Sequence, residues 1–212
     1  GNLKHNLIHE DMVYAARCAK LAFILNVVLD GDKKIIGSFA GDMEAAHKVG
    51  CDFVEKLATV KKIPCDIAVS TNGGFPLDQN IYQAVKGMTA AEATNKENGV
   101  IIMVAGCQDG HGGEGFYHNI ADLATPQEFL DKAINTPQLE TTPDQWTSQI
   151  LALILVHHKV IIVSDLVDPQ LVTNLHMQIA KTFDEALQMA FEMQGKEAKV
   201  TVIRDGLSVI VK

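Results

Sequence analysis

The sequence lacks the features that would place the protein in a membrane, outside the cell or on a nucleic acid. No apolar run approaches the roughly 20 residues that a membrane-spanning helix needs, and the polar N-terminus carries no apolar signal segment. The formal net charge of −8, without a basic stripe, argues against a nucleic-acid partner. With 47% hydrophobic and 21% charged residues, the composition is typical of a soluble globular protein, and we expect a cytoplasmic one.

Several chemical motifs are also missing. No C-x-x-C pair is present, so we interpret the widely spaced cysteines as free thiols or small buried residues: Cys18, Cys51, Cys65 and Cys107. The eight histidines show no H-x-x-x-H or H-E-x-x-H spacing, and we predict no metal site. His157 and His158 are interpreted as surface residues stabilised by the dipole of a helix C-terminus. No nucleophile elbow or phosphate-binding G-x-x-x-x-G-K supports a hydrolase or an NTPase.

The hydrophobic pattern divides the chain near residue 60. Residues 1–60 contain, in order, a helix (9–20), a strand (21–29), a tight turn, a second strand (34–39) and a helix (41–57), so the two strands are predicted to form a hairpin. Thr59–Pro64 has no periodicity and is interpreted as a linker. The sequence opens on Gly1-Asn2-Leu3 without a methionine, from which we expect an internal start.

Residues 63–212 alternate between strands and helices, which predicts a three-layer α/β/α domain with a mainly parallel sheet. The runs I-I-M-V-A and V-I-I-V-S are apolar on both faces, as expected of buried parallel strands. Capping boxes predict three helix starts, at Thr125, Thr142 and Thr182. The predicted strands are 65–70, 100–105, 160–164, 199–203 and a closing run 207–211; the predicted helices are 76–96, 117–135 in two pieces, 143–157 and 183–193.

The segment Ser70–Met88 is the best candidate for a functional site. A strand is followed by a turn containing Asn72, Gly73 and Gly74, and Pro76 is predicted to begin a helix. One stripe of that helix is apolar, and another carries polar groups: Gln79, Tyr82, Gln83 and Lys86. A strand, a glycine turn and a helix start with amide, phenol and ammonium groups favour anion binding, although a solvated helix face gives the same pattern.

A second glycine-rich turn, Gly106–Gly115, follows the strand at 100–105. Since parallel strands end at one sheet edge, we expect this turn to face the same cleft, lined by Asp109 and His111 with the first turn. Its glycines match G-x-G-x-x-G, but they lie too far from the strand, and the next strand ends much too late, for a dinucleotide site. Trp146, the single tryptophan, is predicted in the first turn of its helix, as either a packing or a site residue.

Long phrases of this sequence resemble the nickel-dependent lactate racemase family. They are S-T-N-G-G-F-P-L-D-Q-N-I-Y-Q-A-V-K-G-M-T-A-A-E-A, G-V-I-I-M-V-A-G-C-Q-D-G-H-G-G-E-G-F-Y and P-D-Q-W. The resemblance runs nearly end to end and implies interconversion of L- and D-lactate, by hydride transfer to and from a nickel-pincer mononucleotide. By the same resemblance, the substrate-binding positions are Tyr82, Gln83, Lys86 and Trp146. It does not select lactate among 2-hydroxy acids.

The resemblance also implies what this chain lacks. The family's cofactor-bearing lysine, nickel-ligating histidine and two catalytic histidines have no matching position here. Residues 1–60 are then the tail of an N-terminal cofactor-bearing domain, and 63–212 the C-terminal domain that closes over the active site. We expect no catalytic residue and no bound cofactor in this chain, which alone should be inactive, with its own N-terminal domain as partner. The alternative is a non-catalytic α/β domain that binds a small anion.

Overall fold

The computed structural model describes residues 3–212, in two compact units that divide between Val60 and Lys61. Residues 1 and 2, on which the expectation of an internal start partly rests, lie outside the described residues. No helix within residues 3–212 combines the length and the apolarity required to cross a bilayer.

The first unit is a small α/β segment with little core of its own. The predicted hairpin is confirmed, because strands β1 (Ile24–Leu29) and β2 (Ile35–Gly41) pair antiparallel, beginning with Ile24 opposite Gly41. Helix α2 (Met43–Ala58) packs on both strands, and the Arg17 guanidinium of helix α1 (Leu7–Cys18) binds the Glu44 carboxylate of α2. Among residues 3–60, only Ala46 is a buried apolar residue. The elements are α1 (Leu7–Cys18), β1 (Ile24–Leu29), β2 (Ile35–Gly41), α2 (Met43–Ala58) and β3 (Thr59–Val60).

The second unit is the predicted α/β/α domain. Its central sheet has five strands, all parallel, in the order β7 (Gln178–Ala180), β6 (Lys159–Val163), β5 (Asn95–Val104), β4 (Cys65–Thr71) and β8 (Val200–Ile203). The elements are β4 (Cys65–Thr71), α3 (Ile81–Thr94), β5 (Asn95–Val104), α4 (Glu114–Ala121), α5 (Pro126–Asn135), a 3₁₀ turn (Gln138–Glu140), α6 (Gln145–His157), β6 (Lys159–Val163), α7 (Pro169–Asn174), β7 (Gln178–Ala180), α8 (Phe183–Gln194), β8 (Val200–Ile203) and β9 (Ile210–Val211).

Alternate residues of the central strands build a separate core on each face of the sheet. Ala68, Ile101 and Ile162 pack against helices on one face, α3 and α6 among them. Ile67 and Ile102 face the opposite way and pack on α8 through two alanines. Because both faces are covered, the strands read as continuous apolar runs, and the three-layer prediction is confirmed.

Two of the three predicted capping boxes form as expected. The Thr125 hydroxyl accepts the Glu128 N–H at 3.3 Å, and the Thr182 hydroxyl accepts the Glu185 N–H at 3.2 Å. At the third, the prediction is wrong: α6 begins at Gln145, after Asp144 takes a left-handed conformation with φ 61°. The Thr142 N–H still donates to the Gln145 side chain at 3.3 Å, so half of the box survives outside the helix.

The predicted start of the site helix at Pro76 is also wrong. Residues 74–79 form turns, in which the Leu77 N–H donates to the Gly74 carbonyl at 2.9 Å. Helix α3 begins only at Ile81, after Asn80, whose side-chain oxygen accepts the Gln83 N–H at 3.0 Å. Leu77 and Gln79 therefore lie in the loop and not on the stripes of the helix to which the periodicity assigned them.

Candidate functional site

The two glycine-rich turns meet at the carboxyl edge of the sheet, as predicted. They follow the adjacent parallel strands β4 and β5, and their backbones are hydrogen-bonded to each other. The Asp78 carbonyl accepts the Cys107 N–H at 2.9 Å, and its carboxylate accepts the Gly106 N–H at 3.0 Å. These contacts hold the loop after β4 and the loop after β5 as one surface.

The start of α3 is joined to the second turn. The Ile81 N–H donates to the Gly110 carbonyl at 3.0 Å, and the Tyr82 N–H donates to the His111 carbonyl at 3.1 Å. Asn80 accepts the third N–H, so the first three backbone donors of the helix are used within the protein. The prediction that the start of this helix offers backbone donors to an anion is therefore wrong for these three N–H groups, and at the helix start the side chains are left for that role.

Those side chains form a contiguous group. The Lys86 Nζ donates to the Gln83 Oε1 at 2.7 Å and lies 5.8 Å from the centre of the Tyr82 ring. The Trp146 ring meets Tyr82 edge-on, with 5.9 Å between centroids, and is 50% exposed. The structure thus brings together the four residues that the resemblance selected from two distant segments of the sequence.

Phe116 packs against Tyr82 from the interior of the protein, and sequence reasoning missed it. Its ring meets Tyr82 at 79° with a centroid distance of 5.4 Å, and it is fully buried. Tyr82 therefore lies between a buried aromatic ring and a half-exposed one, which fixes the phenol ring beside the lysine. The available signal was its position directly after the second glycine turn.

The charge of Lys86 is not neutralised by the fold. Among residues 3–212, no carboxylate lies within the 4.0 Å ion-pair distance of its Nζ, and its hydrogen-bond partner is the neutral amide of Gln83. The side chain is half-buried, between the buried residues Val85 and Gly87. A partly desolvated ammonium without a counter-ion attracts an anionic ligand.

Asn72 does not line this surface, as the sequence analysis predicted that it would. It lies buried beneath the surface. Its side chain is completely buried, and its amide nitrogen donates to the Leu77 and Gln83 carbonyls, both at 2.7 Å. The next two residues, Gly73 and Gly74, have φ values of +77° and +90°, which a residue with a side chain rarely adopts. These two glycine conformations let the chain turn directly after the buried Asn72.

The glycines of the second turn serve packing. A Cβ at Gly112 would overlap the Asn80 side chain, and a Cβ at Gly115 would lie 3.0 Å from the Pro143 carbonyl oxygen. These close approaches join the turn to the starts of α3 and α6. The G-x-G-x-x-G match thus has a structural explanation without a dinucleotide.

The two predicted cleft residues of this turn differ in exposure. Asp109 is exposed, and its N–H donates to the Gln79 carbonyl at 2.8 Å. The half-buried His111 ring stacks on Tyr117 at 4.8 Å, and its Nδ1 accepts the Gly113 N–H at 3.1 Å. Its Nε2 lies 3.6 Å from a Glu114 carboxylate oxygen.

Other reactive side chains do not add to the site. Burial, and secondarily the Asp78 charge, raises the pKa of the Cys107 thiol to about 12, so it is protonated at neutral pH. His157 binds Glu97 at 2.8 Å and is exposed, as predicted, at the opposite edge of the sheet. The surface interpretation of His158 is wrong, since it is 6% exposed, and burial lowers its pKa.

The sequence is similar to proteins of one known family. The profile of a family described as "Lactate racemase C-terminal domain" matches residues 60–211. A curated lactate racemase of Lactiplantibacillus plantarum is 76% identical over the whole chain, and one of Thermoanaerobacterium thermosaccharolyticum is 52% identical; the chain covers 50% of each. It spans about half the length of the curated relatives it matches.

A solved structure agrees. The lactate racemase apoprotein from Thermoanaerobacterium thermosaccharolyticum superposes with a TM-score of 0.97 at 52% identity, covering 100% of this chain and 51% of the other. Identity at this level over the full chain is far above what a shared fold alone requires. The chain therefore belongs to the lactate racemase family, of which it represents the C-terminal portion.

Proposed function

We propose that this chain is the C-terminal part of a 2-hydroxy acid racemase and supplies the residues that contact the substrate. One observation carries the proposal: a half-buried lysine without a carboxylate partner lies beside a glutamine and an aromatic wall formed by Tyr82 and Trp146. The names of the 76% and 52% identical relatives support lactate as the substrate.

Lys86 is suited to bind the carboxylate of a 2-hydroxy acid. Its ammonium has three donors, of which Gln83 occupies one. Charge-assisted hydrogen bonds to a carboxylate are roughly twice as strong as neutral ones, so Lys86 would fix one end of the substrate. Gln83 and the Tyr82 hydroxyl then hydrogen-bond the same carboxylate or the substrate hydroxyl and orient C2.

Trp146 has a different role, which is to limit water. Its half-exposed indole lies at the rim, against Tyr82, so a bound substrate would bury its exposed face. Removal of water strengthens the attraction between Lys86 and the carboxylate, because the local dielectric constant falls.

The residues described here do not form a site for nickel. Within residues 3–212, no three His, Cys, Asp or Glu side chains are grouped so that they could hold a metal ion. The family resemblance assigns the nickel-pincer mononucleotide, which accepts and returns the hydride of C2, and the acid and base histidines to the part of the protein outside this chain. By the same resemblance, the first unit is the tail of that N-terminal domain, and residues 63–212 are the C-terminal domain.

The test uses the full-length protein, produced in a host that makes the pincer cofactor. We expect it to contain nickel and to convert L-lactate to D-lactate, whereas this chain alone, given the same cofactor, shows no conversion. Nickel without lactate turnover would point to another 2-hydroxy acid. A full-length protein that binds no nickel and turns over no 2-hydroxy acid would contradict the proposal and favour a non-catalytic anion-binding domain. A cytoplasmic location remains a prediction.

A further inference from the structure

We propose that Asn72, which is buried beneath the site, is a positioning residue. It fixes the distance between helix α3 and the sheet, and with it the position of Gln83 and Lys86. This inference rests on the proposed function, because its consequence is measured on 2-hydroxy acid turnover. Asn72 touches neither the surface nor any ligand position, since its relative exposure is 0%. It acts through the backbone of helix α3.

The hydrogen bonds of Asn72 connect the turn to the site helix. One nitrogen donates to Leu77 in the loop and to Gln83 in the first turn of α3, both at 2.7 Å. The second acceptor belongs to the residue whose side chain binds Lys86. Two carbonyl acceptors fix the orientation of the amide, because a flipped amide would place its oxygen against both of them.

The oxygen of the same amide sets how closely the helix approaches. Asn72 Oδ1 is buried and has no hydrogen-bond partner among the described residues. It occupies the space that a side chain at Gly87 would need, one residue after Lys86. An unsatisfied buried oxygen costs free energy, so its retention there is best explained by the position it imposes on the helix.

A second contact holds the same point of α3. The Ser70 hydroxyl donates to the Gly87 carbonyl at 2.8 Å, and a Cβ on Gly206 would lie 2.7 Å from that carbonyl oxygen. Gly87 is thus enclosed by the end of β4, the turn after β8 and Asn72. The backbone next to Lys86 is consequently held in place by close contacts, which a precise contact between Lys86 and a carboxylate requires.

The experiment uses the full-length enzyme loaded with its cofactor. Asn72→Ala should lower kcat/KM for lactate about a hundredfold, the size of effect that a displacement of roughly 1 Å produces, with nickel content unchanged. Most of the loss should appear as a raised KM, because Lys86 and Gln83 hold the carboxylate before and during the reaction. Asn95→Ala is the matched control, since it truncates a buried asparagine at the opposite edge of the sheet.

Two further variants separate positioning from folding. In Asn72→Ala/Gly87→Ala, the new methyl group at 87 takes part of the space left by Asn72, although it would lie 2.9 Å from the Met103 methyl carbon and 3.2 Å from the Thr71 carbonyl oxygen. Part of the lost thermal stability should therefore return, while the kinetic defect persists because the Leu77 and Gln83 carbonyls still lack their donor. In a Lys86→Ala background, Asn72→Ala should cause a smaller further loss than in the wild type, because one of the two side chains that it positions is then absent.

Wild-type kcat/KM in the well-folded double variant, or an undiminished Asn72→Ala effect without Lys86, would overturn the inference. If the wild type itself does not turn over a 2-hydroxy acid, the proposed function fails first, and the inference falls with it.

Discussion

The amino edge of the central sheet, where its parallel strands begin, and the carboxyl edge, where they end, carry similar side chains. They differ in which of the side-chain charges are paired within the protein. At the amino edge, Lys96 binds Asp66 at 2.7 Å, and His157 binds Glu97 at 2.8 Å. At the carboxyl edge, the Lys86 ammonium contacts the Gln83 amide and the Tyr82 ring, and no carboxylate of residues 3–212 forms an ion pair with it. A folded protein tends to pair a partly buried charge, so the unpaired cation is the feature on which the proposed substrate contact at the carboxyl edge rests.

Buried asparagines show the same contrast. Asn95, at the amino edge, accepts a weak hydrogen bond from the Cys65 thiol and leaves its nitrogen unused. Asn72, at the carboxyl edge, uses its nitrogen twice on a loop and a helix. The buried asparagine at the amino edge thus makes a weak contact within the core, whereas the one at the carboxyl edge connects a loop to a helix.

The largest expected effect comes from making the carboxyl edge resemble the amino edge. Gln83→Glu would give Lys86 an internal carboxylate at the 2.7 Å position of the present amide oxygen. Because the internal charge competes with the substrate carboxylate and repels it, kcat/KM for lactate should fall about a hundredfold, or roughly 2.7 kcal/mol. Steady-state kinetics of the full-length enzyme measure this.

The matched control for that change is Glu97→Gln. It alters the charge of a carboxylate at the amino edge and should leave kcat/KM within about twofold of the wild type. Equal losses in the two variants would show that the edges do not differ in function.

A moderate effect on stability is expected at the amino edge. Burial lowers the pKa of His158 in the folded state below the 6.5 of a free histidine, so the unfolded chain binds the proton more readily. Stability is therefore lost as pH falls from about 6.5 towards the folded pKa, by at most about 1.4 kcal/mol per pH unit. Urea unfolding at pH 7.5 and 5.5 should show this loss, and His158→Gln should remove part of it.

His118 provides a control of opposite sign. Its pKa is raised by a hydrogen bond to Asp122, so its contribution is present below pH 6.5 and is lost as pH rises through the folded pKa. His118→Gln should therefore reduce stability only on the acid side. If the His158→Gln variant lost as much stability between pH 7.5 and 5.5 as the wild type does, His158 would not be a source of the acid sensitivity.

The smallest effect is expected at the rim of the site. Trp146→Phe keeps an aromatic ring near Tyr82 but shortens the wall, so KM for lactate should rise about threefold, in line with 0.5–1.5 kcal/mol for an aromatic pair. Leu139→Ala, which changes a fully exposed apolar residue nearby in sequence, serves as the control. A KM unchanged by Trp146→Ala would remove Trp146 from the site.

The fold could be predicted where a local rule and a tertiary requirement agree. The apolar strands, the hairpin and the capping residues Thr125 and Thr182 follow from periodicity and capping chemistry. The short elements α7 and β7 were missed, because six and three residues are too few to show a period.

The errors at the site have tertiary causes. Pro76 is a good first helical residue, but Asn80 is also a good cap. The helix starts after Asn80, where the Ile81 and Tyr82 N–H groups bind the second glycine turn. The burial of Asn72 depends on carbonyls five and eleven residues further along the chain, which no local pattern reveals. The grouping of Trp146 with Lys86 came from the resemblance, since periodicity carries no information on contacts between distant helices.

The most direct test of the unpaired cation compares Lys86→Ala with Lys96→Ala in the full-length, cofactor-loaded protein. Both variants remove one lysine, from opposite edges of the same sheet. We predict that Lys86→Ala keeps its nickel and loses at least about a hundredfold in kcat/KM for L- to D-lactate conversion, as expected when a charged contact is removed, whereas Lys96→Ala retains wild-type kinetics. Equal activity of the two variants would contradict the account, because the unpaired charge at the carboxyl edge would then have no part in the reaction.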